Sequence, residues 1–114
     1  MSAYFDLSRI IELQGVMGSE PAAMVATMLR SMTSAIEQLE SATAAGELDR
    51  AARAAHAARN DALMVGASRL QEALTELEAA ARNSDGDGAR VALERIREVW
   101  PPTRDGLTAV AEAA

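Results

Sequence analysis

One histidine, His56, stands in the run Ala55-His56-Ala57-Ala58-Arg59-Asn60, three residues before a cation, ten and eleven before Gly66-Ala67, and twenty-two before the carboxylate of Glu78. Imidazole titrates near neutrality and offers a nucleophilic nitrogen at cellular pH. Attack of that nitrogen on phosphorus makes a phosphoramidate, a labile link suited to passing the group on. The ring must then be exposed at the attacking nitrogen and held at the other. A carboxylate accepting from Nδ1–H would fix the tautomer and raise the basicity of Nε2. Glu78 is the candidate for that role. Arg59, one helical turn from His56, is placed to neutralise phosphoryl oxygens.

These residues need a helical hairpin to bring them together. His56 lies roughly 15 Å before Gly66 along a helix, and Glu78 roughly 18 Å after it, at 1.5 Å per residue. They should face each other at similar height. The helix that carries His56 is expected from Glu47 to Met64, with Leu48, Ala51, Ala55, Ala58, Ala62 and Val65 on its apolar stripe and His56 beside it. Gly66 breaks it. Ala67 or Ser68 opens the return helix, whose stripe is Leu70, Leu74, Leu77 and Ala81, and the short break forces the pair antiparallel.

The rest of the chain reads as further helices. Phe5 to Gly15 is amphipathic through Phe5, Leu7, Ile10, Ile11 and Leu13, with Asp6 or Ser8 as cap and Gly15 as the end. Gly18-Ser19-Glu20-Pro21 restarts the chain with Ser19 as N-cap. Met24, Met28, Leu29, Met32, Ile36 and Leu39 then define a helix from Glu20 to Ala45, which Gly46 stops. Residues Asn83 to Gly88 form a loop. A last helix carries Val91, Leu93, Ile96, Val99, Trp100, Leu107 and Val110. Pro101-Pro102 should kink or break it, with Trp100 capping one end of the core. The expected architecture is all-α: one domain over residues 1–114, an antiparallel up-down-up-down four-helix bundle with a short additional N-terminal helix.

Composition narrows the function. The 114 residues carry a net charge of −6, and all eleven cations are arginines. An acidic chain is a poor nucleic-acid binder, because phosphate neutralisation dominates that affinity. There is no cysteine, hence no disulfide or thiolate metal site, and one histidine cannot make a histidine zinc cluster. Asp85 and Asp87 lack the spacing and the terminal glutamate of a calcium loop. No apolar run is long enough to span a bilayer, and no signal peptide is visible at the N-terminus. A cytoplasmic protein with no metal or cofactor of its own is expected. Arginine in place of every lysine, with abundant alanine, matches the codon bias of a GC-rich bacterial genome.

A lone helical histidine is by itself more often an ordinary surface residue. The surrounding pattern changes that reading, because it resembles the signature of histidine-containing phosphotransfer (Hpt) domains. In that signature the phosphorylated His is followed at +3 by Lys, at +4 by Gly, at +10 and +11 by Gly-Ala, at +14 by Leu, and at +21 and +22 by Leu-Glu. Here these positions hold His56, Arg59, Asn60, Gly66, Ala67, Leu70, Leu77 and Glu78. The resemblance covers about residues 5 to 100. Arg59 replaces Lys and keeps the charge. Asn60 replaces the Gly that gives a partner close access to the histidine.

The resemblance implies a phosphocarrier rather than an enzyme. It would exchange a phosphoryl group between His56 and the aspartate of a response-regulator receiver domain, with a sensor or hybrid histidine kinase upstream. The receiver would bring Mg2+ and most of the catalysis. The docking patch is expected from Ala52, Ala57, Asn60, Leu63 and Met64, with Arg53 and Arg59 at its rim, on a monomer. Two other readings compete. One is a bundle that has lost the chemistry and acts as an adaptor, binding or sequestering a receiver or kinase. The other is an oligomerisation domain with an incidental histidine.

Overall fold

Alanine sets how closely the helices of this chain approach, and left-handed turn residues set where they stop. The computed structural model describes residues 4–17 and 21–112. Five helices follow one another: α1 (Leu7–Met17), α2 (Pro21–Ala44), α3 (Leu48–Met64), α4 (Ser68–Arg82) and α5 (Gly86–Glu112). Helix α3 packs on α2 and α4, and α5 packs on α4 and α2, which closes a four-helix ring. Helix α1 touches α2 and α3. The all-α bundle with a short N-terminal helix is therefore the observed fold.

The three bundle connections repeat one device. After α2, Gly46 takes φ +73°, its N–H bonds Thr43 O at 3.2 Å, and the Glu47 N–H bonds Ala42 O at 2.9 Å. After α3, Gly66 takes φ +68°, with Gly66 N–H to Leu63 O at 3.2 Å and Ala67 N–H to Ala62 O at 2.9 Å. After α4, Ser84 takes φ +58°, with bonds to Ala81 O at 3.1 Å and from Asp85 N–H to Ala80 O at 2.8 Å. Each is a Schellman turn, which satisfies the last carbonyls of a helix and reverses the chain in few residues. Gly66 has a second reason to be glycine. A Cβ there would lie 2.5 Å from the Asp6 Cβ, in the segment whose Asp6 N–H bonds Val65 O at 3.0 Å.

Several expectations change. Gly15 does not end α1, which runs on to Met17; a single interior glycine costs a helix only about 1 kcal/mol. Asp6 is the cap, accepting from the Ser8 N–H at 3.0 Å. Gly18, Ser19 and Glu20 lie outside the described residues, and with them the proposed Ser19 cap. Ile10 is buried, whereas Leu7 and Ile11 are exposed. The loop after α4 is shorter than residues 83–88, because Asp85 accepts from the Gly88 N–H at 2.9 Å and starts α5 at Gly86. Asp87 pairs with Arg90.

Pro101-Pro102 does not break α5. The carbonyls that two prolines leave without donors are those of Arg97 and Glu98, both at exposed positions where water can serve them. Trp100 does not cap the core: Thr103 and Leu107, fully buried, continue it beyond. Val91 is not a core residue either. It is 66% exposed, and the buried register is Ala89, Ala92, Leu93, Ile96 and Trp100.

Candidate functional site

Alanine brings the two site helices close. Helix α3 buries Ala51, Ala52, Ala54, Ala55, Ala58 and Ala62, and no larger side chain. Against it α4 buries Leu70, Ala73, Leu74, Leu77 and Ala81, together with Glu78. Short side chains let one backbone approach another, so polar groups at the edge of the contact can meet. His56 projects from that edge with its side chain 47% exposed, and Glu78 lies opposite with its side chain 10% exposed.

The structure brings together the residues that the spacing paired. Glu78 Oε2 lies 3.1 Å from His56 Nδ1. Arg59 Nη2 lies 3.0 Å from the same nitrogen. Arg59 Nε lies 3.4 Å from Glu78 Oε1, an ion pair without hydrogen-bond geometry, and that oxygen is buried with no hydrogen bond. No hydrogen bond to His56 Nε2 occurs among the described residues. The ring is held at one nitrogen and open at the other.

Arg82 completes the cluster and was missed by the sequence reading. It donates to Glu78 Oε2 from Nε at 3.0 Å, and its Nη2 lies 2.8 Å from the same oxygen in an ion pair. The signal was present, since a Glu four residues before an Arg on a helix is a standard pairing distance. Burial pushes the Glu78 carboxyl up, but the Arg82 hydrogen bond and the neighbouring Arg59 and His56 outweigh it and leave the group below its ordinary value. Glu78 is therefore a carboxylate at neutral pH, able to accept from Nδ1–H.

The expected docking residues divide. Arg53, Ala57, Asn60 and Leu63 are exposed, and Met64 is half-buried. Ala52 is not available: it is 3% exposed, inside the bundle. Helix α3 is flanked by both α2 and α4, and a methyl side chain is too short to emerge between them. Gly66 and Ala67 form the turn that sets the hairpin, and Ala67 is buried.

Among the described residues, no group of His, Asp and Glu is arranged to hold a metal ion, and no helix is long and apolar enough to cross a membrane.

Comparison with known proteins agrees with this fold. The Hpt domain family matches residues 23–113. The fold matches a crystal structure of histidine-containing phosphotransfer protein B from Pseudomonas aeruginosa PAO1, with TM-score 0.89 at 21% identity, over 100% of this chain and 99% of that one. No curated relative matches the chain by sequence.

Proposed function

The chain belongs to the Hpt domain family, and from that premise we propose that it carries a phosphoryl group on His56, to or from the aspartate of a response-regulator receiver domain. The observation that carries this reading is the half-exposed ring of His56 held at Nδ1 by a buried carboxylate.

In the acceptor direction, the Nε2 lone pair attacks the phosphorus of an aspartyl phosphate. An N–P bond forms and the P–O bond breaks, with its electron pair leaving on the carboxylate oxygen. The Nδ1 proton stays, and the ring becomes cationic. Glu78, ionised and 3.1 Å from Nδ1, stabilises that charge. Arg59 turns its N–H groups to the phosphoryl oxygens. The return transfer reverses each step. Mg2+ and most of the catalysis would come from the receiver, so this chain is a carrier and not an enzyme.

The receiver would dock over Ala57, Asn60, Leu63 and Met64, with Arg53 and Arg59 at the rim. Exposed Leu63, with exposed Asn60 one turn before it, suits a transient partner site. A cytoplasmic monomer fed by a sensor or hybrid histidine kinase fits this role.

Asn60 favours a second reading, an adaptor that binds a receiver or kinase without transfer, because its side chain stands exposed one turn from His56 where the family pattern has none. A panel of phosphorylated receiver domains separates the two. Transfer of acid-labile phosphate to the wild type and not to His56→Gln supports the carrier. Binding of a receiver by both proteins, with no transfer to either, supports the adaptor.

A further inference from the structure

His56 Nδ1 has two neighbours that it cannot satisfy together. Glu78 Oε2, 3.1 Å away, only accepts, and Arg59 Nη2, 3.0 Å away, only donates. A neutral imidazole has one N–H. With the proton on Nδ1, the ring donates to Glu78 and the Arg59 N–H points at another N–H. With the proton on Nε2, Nδ1 accepts from Arg59 and faces a carboxylate oxygen it cannot bond. Only the first arrangement leaves a lone pair on Nε2.

We infer that Arg59 is a positioning residue that competes with Glu78 for His56 Nδ1 and holds part of the resting population in the tautomer that cannot attack phosphorus. The inference rests on the carrier reading of His56 and deepens it.

The surroundings make this a real contest. Glu78 Oε2 already accepts the Arg82 Nε–H and pairs with Arg82 Nη2 2.8 Å away, so the ring shares that oxygen with a charged donor. Arg59 spans the site, with Nη2 on Nδ1 and Nε beside Oε1. A lysine, with a single ammonium on a flexible stem, cannot make that span with two nitrogens. When Arg59 swings to the oxygens of an arriving phosphoryl group, Nδ1 loses its competing donor. The proton then settles on Nδ1 against Glu78, and Nε2 becomes nucleophilic as its target arrives. One side chain thus couples the presence of the anion to the activation of the ring.

The test is the imidazole nitrogen spectrum of the 15N-labelled full chain, at a pH where the ring is neutral. Wild type, Arg59→Met and Arg59→Gln are compared, and the amide spectrum of each reports whether the fold is intact. In the wild type both ring nitrogens should resonate between the protonated and unprotonated positions. At least one folded variant should move Nδ1 to the protonated position. No movement, or movement of the proton toward Nε2, overturns the inference. The spectrum does not depend on phosphoryl transfer, so the two readings fail separately. A protein that shows the shift and accepts no phosphate sinks the carrier reading, and one that accepts phosphate without the shift sinks this one.

Discussion

The two sides of the bundle are built from different materials. The α2–α5 wall buries Met32, Ile36, Leu39, Leu93, Ile96 and Trp100, and ties its rim with an Arg97–Glu40 ion pair at 2.8 Å. Helix α3, on the site side, buries only alanines. Large side chains remove more apolar surface from water and give the wall more of the stability. Alanines contribute less, but they fix a close spacing in which Glu78 reaches His56. The wall supplies stability, as do Leu70, Leu74 and Leu77 of α4, and the alanines of α3 supply geometry.

Substitutions on each side should separate these roles. Ile96→Ala empties a fully buried site and should lower unfolding free energy by about 2–5 kcal/mol in denaturant titration. Phosphoryl acceptance per folded molecule should not change, and a large loss of acceptance would mean that the wall also positions the site. Ala58→Leu, on buried α3, should cost less, about 1–3 kcal/mol. It should nonetheless slow acceptance toward the ~100-fold that a 1 Å misplacement can bring. A variant that is destabilised by this amount yet transfers at full rate would contradict the role given to the alanines.

A smaller effect concerns pH. The folded Glu78 carboxyl lies below its ordinary value of 4.5. Its ionic contribution to stability is therefore complete above about pH 4.5 and is lost as pH falls through the lower folded value. The stability difference between wild type and Glu78→Gln should narrow as pH falls below 4.5. Smallest, Ser84→Gly should stabilise the chain by about 1 kcal/mol in thermal unfolding, since Ser84 holds φ +58° where glycine is unstrained. An unchanged or lowered midpoint would show that the serine contributes a contact worth as much as the strain.

Much of this was legible in the sequence, and the errors have physical causes. Helix order, the stops at Gly46 and Gly66, and the pairing of His56 with Glu78 follow from periodicity, glycine and a residue count along a hairpin. Periodicity does not say how far a neighbouring helix reaches over a short side chain, so Ala52 was placed outside when it is inside. Val91 shares the apolar pattern of the last helix, yet the register of α5 is set by Leu93, Ile96 and Trp100 and leaves Val91 exposed. The survival of α5 through Pro101-Pro102 depends on which carbonyls face water, a property of the folded bundle, whereas the Asp85 cap is a local bond from the Gly88 N–H that the glycine-rich run concealed. Arg82 was overlooked because an arginine on an exposed helix face looks solvated until the carboxylate it serves is found to be buried.

The central claim is that Glu78 holds Nδ1 and leaves Nε2 to carry the phosphoryl group. Phosphorylating the chain from a receiver and locating the phosphorus by proton–phosphorus NMR on the histidine ring tests it most directly. The account predicts phosphorus on Nε2 of His56 in the wild type and none in His56→Gln. Phosphorus on Nδ1, or on any other residue, would contradict it.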